Sequence, residues 1–294
     1  MTGKLLVTGA SGKLGAAVVH HLLDTFSVPA SSLIAGSRDT ARLADIAARG
    51  VETRAIDFDD ASLAERFAGV DRVLIISTDA LDAEGTRLRQ HLAAVAAAKA
   101  AGVSHIAYTS MPNPGEAKVL FAPDHKGSED AIKATGLGYT IFRNSWYMEN
   151  LMMTLPQALA MGQWFTSAGE GRIAHVARDD VARAIAASLA KEASENATYT
   201  LTGPVARTTE DIAALVSQVT GKPLAVVHVS DEQLAQGMEG AGVPAPMVPT
   251  LVSFDTNTRD GKVDIVTDDA TALSGAGATS LEDFLTTVKP ALLG

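Results

Sequence analysis

Residues 8–15 read Thr8-Gly9-Ala10-Ser11-Gly12-Lys13-Leu14-Gly15, directly after the apolar run Leu5-Leu6-Val7 and into a helical pattern that opens at Leu14. A strand that turns through glycines into a helix admits few folds. Gly9 permits the sharp turn, Gly12 lets the backbone approach an anion, and Gly15 lets the helix lie close on a sheet. Amides left unpaired at the helix start then face the anion. The segment predicts a cradle for the diphosphate of a dinucleotide. Its spacing is GxxGxxG, not GxGxxG, and it lacks the Lys-Ser/Thr of a nucleotide-hydrolysing loop. With 25 glycines in the chain, glycines alone carry little; their place between strand and helix carries the reading.

The rest of the first half alternates in the same way. Leu33-Ile34-Ala35, Val73-Leu74-Ile75-Ile76, His105-Ile106-Ala107-Tyr108 and Tyr139-Thr140-Ile141-Phe142 are short apolar runs, separated by helical patterns over 41–48, 88–101 and 129–134. Strands apolar on both faces and spaced by helices predict a parallel sheet covered on both sides, a doubly wound, Rossmann-like α/β domain. The alanine-rich stretch that stops at Gly102 reads as close helix-to-sheet packing with a glycine terminus. Beyond Asn150 the alternation fades. A strand at Tyr199-Thr200-Leu201 and helices over 179–189, 208–219 and 281–288 are expected there. The expected organisation is a dinucleotide-binding domain over 1–150, with later returns near 173–203, and a smaller α+β substrate lobe over 151–294. The Gly- and Pro-containing stretch 237–249 reads as a substrate-covering loop, not a linker.

Composition narrows the partners. The 294 residues are 47% hydrophobic and 20% charged, which is enough to bury a core. A net charge of −10 disfavours nucleic acid and anionic membrane. Cysteine is absent, so disulfides and thiolate chemistry are excluded. No signal-like or membrane-spanning run is present, and a cytoplasmic protein is expected. Seven histidines are scattered without ligand spacing and no metal site is expected. No Gly-x-Ser-x-Gly elbow supports a serine nucleophile. Asp179 and Asp180 read as helix caps in preference to a metal pair.

About 20 residues past the loop, the tip of the second strand selects the dinucleotide. It reads Gly36-Ser37-Arg38-Asp39. Arg38 offers a planar cation to the extra phosphate of NADP, so NADP(H) is expected over NAD(H). Asp39 reads as a cap for the helix near Ala41; the alternatives are a solvated Arg38 and an Asp39 turned toward ribose.

Further segments occur in order: Ala55-Ile56-Asp57-Phe58-Asp59-Asp60, Ile75-Ile76-Ser77-Thr78, Ala107-Tyr108-Thr109-Ser110, Arg143-Asn144-Ser145-Trp146-Tyr147-Met148-Glu149-Asn150 and His175-Val176-Ala177-Arg178-Asp179-Asp180. With the loop and Arg38 they resemble the NmrA-like atypical short-chain dehydrogenase/reductases, most of all the branch of bacterial NAD(P)H:quinone oxidoreductases of the second type, with triphenylmethane reductases nearby. The resemblance implies that Gly9, Ala10, Ser11, Gly12, Lys13 and Leu14 hold the pyrophosphate and Arg38 the ribose phosphate. It implies that Asp57 and Phe58 border adenine, that Ser77 and Thr78 flank the cofactor, and that Asn144 sits near nicotinamide, with Arg178 as a further contact. His125 falls where relatives carry a histidine or a catalytic lysine, and Trp146 and Tyr147 follow the nicotinamide segment, where they line an acceptor pocket or fill core.

The wider superfamily pairs Tyr-x-x-x-Lys, whose ammonium helps the phenol donate a proton. Here Pro112, Arg143, Leu151 and Gly203 stand four residues after the four tyrosines, so the pair is missing. A quinone tolerates its loss, because hydride leaves a delocalised hydroquinone anion that needs positioning and one donor at oxygen. Asn144 and His125 are the catalytic candidates: an amide to orient the carboxamide and an imidazole donor. By itself, His125 beside Asp124 and Lys126 reads as a surface residue. The expected function is an NADPH-dependent oxidoreductase acting on a quinone or similar conjugated acceptor. An NADP(H)-sensing regulator and a reductase of triarylmethane dyes or other aromatic or enone substrates are the alternatives, the last kept open by Lys126. The expected partner is a small aromatic or quinone molecule, and a homodimer is left open.

Overall fold

In the computed structural model, which describes residues 3–81, 83, 85–191 and 195–294, the apolar runs of the first half become strands and the stretches between them helices. In chain order these are β1 (Leu5–Val7), α1 (Lys13–His20), β2 (Leu33–Ser37), α2 (Ala44–Ala48), β3 (Glu52–Ala55), α3 (Leu63–Arg66), β4 (Arg72–Ile75), α4 (Thr86–Ala100), β5 (His105–Ser110), α5 (Ala122–Ala134) and β6 (Gly138–Asn144). There follow α6 (Leu155–Met161), β7 (Gln163–Thr166), α7 (Arg178–Ala190), β8 (Ala197–Leu201), α8 (Thr209–Thr220), β9 (Ala225–His228), α9 (Asp231–Gly240), α10 (Val248–Arg259), α11 (Asp269–Ser274) and α12 (Leu281–Leu293).

Seven strands form a parallel sheet in the order β3-β2-β1-β4-β5-β6-β8. The chain builds outward from β1 to β3, then crosses back to β4 on the other side of β1. That reversal leaves a crevice beyond the carboxyl ends of β1 and β4, the place where doubly wound sheets take ligands. The fold is the expected Rossmann-like one.

Period-two alternation sorts the strand side chains between the two helical layers. Leu5, Val7, Leu74, Ala107 and Phe142 pack with Val18, Val19, Leu22, Val181 and Ile185 on one face. Their neighbours Leu6, Val73, Ile75, Ile106 and Tyr108 pack with Phe67, Ala94, Val95, Ala98 and Ile132 on the other. Tyr108 is thereby carried beneath α4 and α5, wholly buried. The buried alanines of α4 bring that helix close to the sheet, and Gly102, at φ +78°, turns the chain just past its end.

Several elements differ from expectation for identifiable reasons. β3 is an edge strand of sequence Glu-Thr-Arg-Ala with half its residues exposed, so no apolar run marks it. α5 starts at Ala122, well before the expected 129–134, because Pro123 fits the first turn of a helix, where its missing N–H is not needed. This earlier start makes His125 a buried helical residue, 3% exposed, and not a surface one. β7 and β9 form a separate two-stranded parallel sheet that the fading alternation concealed. Around it Leu155, Leu159, Ile212, Val216, Leu224, Phe284 and Leu285 make a third core.

Stretch 237–249 is no extended loop: it comprises the end of α9, a short 3-10 turn (Ala245–Met247) and the start of α10. Asp39 does cap, its carboxylate accepting the Ala41 N–H at 3.0 Å. Asp179 and Asp180 do not cap their own helix. Glu149 takes the Arg178 amide at 3.1 Å, Asp180 accepts the Thr279 N–H at 2.7 Å, and Asp179 pairs with His21 and Arg183. Among the described residues no helix is long and apolar enough to cross a membrane.

Candidate active site

A cavity of about 740 Å³ opens over the crevice and runs from the glycine loop to the end of β6. Its first end is made mostly of main chain. Gly9 turns at φ +61°, and a Cβ on Gly15 would lie 2.3 Å from the Gly9 carbonyl oxygen, a clash no side chain survives. The loop is pinned by the Ala10 N–H on the Gly36 carbonyl at 2.9 Å and by a Ser11–Ser37 hydroxyl contact at 2.8 Å. Gly12 caps α1 without a side-chain acceptor, and the first turn holds no acidic residue. The amides of Lys13, Leu14 and Gly15, which have no carbonyl one turn back, stay available to an anion. Ala10 itself does not line the cavity: its amide is taken by β2 and its methyl is buried.

Two exposed cations stand at the mouth. Arg38 lines the cavity as expected from the strand tip, and so does Arg42, whose Nη2 lies 3.5 Å from the Ser11 carbonyl. Arg42 was not singled out from sequence, although Asp39 starts the turn that sets it four residues beyond Arg38, on the same side. Asp57, exposed, and Phe58, buried, lie on the wall past β3, with Ser77 and Thr78 at the tip of β4. Thr109 Oγ1 accepts the Ser77 N–H at 2.9 Å and holds that tip in place.

The other end is built from side chains of four elements. Asn144, at the end of β6, donates from Nδ2 to the Tyr147 hydroxyl at 3.2 Å, and its Oδ1 is buried without a partner. Trp146 meets Phe254 of α10 edge-on at 4.5 Å between ring centroids. Tyr147 lines the cavity with its ring under the Arg178 guanidinium at 4.9 Å, and burial pushes its phenol up to about 12. Arg178 is used in that stack and does not line the cavity.

Beneath this end lies a polar network that the sequence did not announce. Arg87 Nη2 donates to His125 Nε2 at 2.9 Å, and His125 Nδ1 meets the Tyr108 hydroxyl at 2.9 Å. Because Arg can only donate, Nε2 is the bare nitrogen and the neutral ring carries its proton on Nδ1, toward Tyr108. The Thr78 N–H likewise donates to His91 Nε2 at 3.0 Å, which leaves His91 Nδ1–H to donate to Ser128 Oγ at 2.9 Å. Ser128 passes its own proton to the Asp124 carbonyl at 2.6 Å. Every ring nitrogen is satisfied with both histidines neutral. Burial, and then the Arg87 charge, hold His125 well below the usual imidazole range and His91 down to about 3. Lys126 points outward to Asp130 at 2.6 Å and has no part in the cavity.

The cavity walls fit a dinucleotide with a second polar molecule beside it, by the polar atoms they leave open. Thr78 Oγ1, Arg87 Nη1, Gln90 Oε1, Asn144 Oδ1 and Ser145 Oγ all belong to lining residues, are buried, and have no hydrogen-bond partner among the described residues. Buried polar groups left unmade cost about 1–3 kcal/mol each, and a bound polar molecule removes that cost.

Comparison with known proteins is consistent with this geometry. The model of the NmrA-like family matches residues 1–285. Quinone oxidoreductase 2 of Escherichia coli (strain K12) is 34% identical over 258 residues, which cover 87% of this chain and 88% of that protein. An E. coli NADPH-dependent quinone oxidoreductase solved with NADPH superposes with a TM-score of 0.91 at 32% identity, covering 97% of this chain and 99% of that one. Citrobacter sp. triphenylmethane reductase solved with NADP(H) gives 0.90 at 34% identity, covering 97% and 100%.

Proposed function

The chain belongs to the NmrA-like family, and on that premise we propose that it is an NADPH-dependent oxidoreductase that passes hydride directly to a quinone or similar conjugated acceptor. The observation that carries the reading is one cavity with two differently built ends, an uncapped helix terminus at one and a set of unpartnered buried polar atoms at the other. A reduced nicotinamide bound there would supply a hydride, two electrons with one hydrogen, to the acceptor, whose hydroquinone anion would take its remaining proton from water.

The chain's own residues bind, orient and exclude. The amides of Lys13, Leu14 and Gly15 offer main-chain donors to the diphosphate, while Gly9, Ser11 and Gly12, whose own N–H is on the Gly9 carbonyl at 2.9 Å, shape the cradle around it. Arg38 and Arg42 provide the two cations that favour NADP(H) over NAD(H). Asn144 accepts through Oδ1 from the carboxamide while Tyr147 fixes its Nδ2, so the nicotinamide end is held in one orientation. Met111, Phe121 and Trp146 give that end its apolar wall. No Tyr-x-x-x-Lys pair is needed for an acceptor whose anion is already delocalised. In domain terms, residues 1–150 with the α7–β8 return hold the dinucleotide, and the rest of 151–294 frames the acceptor.

NADPH oxidation against a panel of quinones, triarylmethane dyes and enones tests this, alongside fluorescence titration of NADPH and NADH. Turnover confined to quinones supports the reading. Tight NADPH binding with a flat response to every acceptor would replace it with the sensor reading.

A further inference from the structure

Arg87 is a buried charged group of the acceptor end whose role the cofactor does not explain. It is 6% exposed, and among the described residues no carboxylate lies within ion-pair distance of it. Its guanidinium is held on three sides: Nε donates to the Thr78 carbonyl at 2.8 Å, Nη2 to His125 Nε2 at 2.9 Å, and its face covers the Phe121 ring at 4.6 Å. Among the described residues Nη1 has no partner, and the residue lines the cavity with Phe121 and His125. Asp124 and Asp79 favour its charge only from longer range. Burying a cation without a direct counterion is costly, and Arg87 is such a cation among the described residues, beside the acceptor pocket.

We propose that Arg87 is the specificity-determining cation of the acceptor site, stabilising negative charge that develops on an acceptor oxygen and turning away acceptors that are themselves cations. This rests on the proposed reductase reading and refines it: quinones and other carbonyl acceptors that become oxyanions are taken, and cationic triarylmethane dyes are refused. His125 is then a positioning residue. Its Nε2 faces Arg87, and its proton faces Tyr108, so the imidazole steadies the guanidinium and donates nothing to the acceptor. Fixed charge in a water-poor site, aimed where negative charge appears, is the strongest kind of electrostatic help a site gives.

The test uses NADP+-loaded protein with p-nitrophenol as the oxyanion probe and crystal violet as the cationic one, and NADPH turnover with menadione. Wild type is expected to bind the phenolate form, lowering the probe's pKa by about one unit, and to bind crystal violet weakly. Arg87→Met should abolish that spectral shift, lower menadione kcat about 100-fold, and strengthen crystal violet binding about tenfold, with NADPH affinity held within about twofold. Arg87→Lys, which keeps charge without the fork, should retain part of the shift and serves if the Met variant does not fold. Wild type that fails to bind p-nitrophenolate, or an Arg87→Met protein with wild-type probe pKa and turnover, overturns the proposal. A wild type that lowers the probe pKa yet reduces no acceptor leaves the Arg87 assignment standing and removes the reductase reading instead.

Discussion

The two ends of the cavity are made from different materials. The diphosphate end is contiguous chain, eight residues of backbone in which glycines have replaced side chains, with Arg38 and Arg42 at its edge. The acceptor end has almost no contiguous element. Arg87 and His91 come from α4, Tyr108 from β5, and His125 and Ser128 from α5, joined by hydrogen bonds and ring contacts, while Asn144 of β6 is held apart from them on Tyr147. The first end depends on the space its glycines leave, the second on what its side chains satisfy. A change at the first should therefore be felt in cofactor affinity, and one at the second in stability and acceptor turnover.

The sharpest break of this contrast is Gly12→Val. A Cβ there already approaches the Gly9 carbonyl to 3.2 Å, and the branched carbons would fill the space before the α1 amides. Dinucleotide binding should fall by about 100-fold or more, roughly the loss of two charge-assisted hydrogen bonds, with little change in Tm. Normal NADPH titration of this variant would mean that the loop is not the anion site.

Lowering pH should strike the buried histidines, of which His91 belongs to the second end. His91 is buried neutral with its pKa near 3, and His105 and His175 with theirs near 4, in each case chiefly through burial. All three lie below the value of about 6.5 for an unfolded histidine, so the unfolded chain takes up protons first. Stability is complete above about pH 6.5 and is lost as pH falls toward 4 and then 3, by at most about 1.4 kcal/mol per unit for each histidine. Thermal melts across that range should show it, and His91→Gln should flatten the slope by its share. A slope unchanged in that variant would mean His91 titrates normally.

Tyr108→Phe removes the hydroxyl that meets His125 and His91. Leaving the buried His125 Nδ1–H unpaired, with His91 still on Ser128, should cost about 1–3 kcal/mol of stability, read as a lower denaturant midpoint, while NADPH affinity stays put. An affinity loss as large as the stability loss would erase the division between the two ends. The smallest effects belong to the mouth. Arg38→Ala and Arg42→Ala should each weaken NADPH about tenfold, within the range for one hydrogen bond to a charged group, and leave NADH nearly unchanged; equal losses for both dinucleotides would deny them the extra phosphate.

What was legible in the sequence follows the same division. The turn at Gly9, the helix opening just past it and the cap at Asp39 are local, and residues a few positions apart specify them. The central strands are legible because both their faces are buried, whereas β3, at an edge, and the small β7–β9 pair carry no such run. Arg87 and His91 did leave a trace: they stand four apart on an alanine-rich helix whose buried stripe should be apolar. On α5, His125 and Ser128 repeat the pattern three apart. Without knowing that α4 and α5 flank the same side of β5, those polar positions look like solvated faces.

The sequence alone determined a doubly wound sheet, a glycine cradle at its first turn and the residues around it, because helix and strand periods and unhindered backbone are properties of neighbouring residues. Only the tertiary structure decided that His125 is buried and held by Arg87, that Arg178 stacks over Tyr147 and does not line the cavity, and that Arg87, without a direct counterion among the described residues, does line it. Those outcomes depend on which helices share a face of the sheet, and strand order brings residues dozens of positions apart to within hydrogen-bond reach.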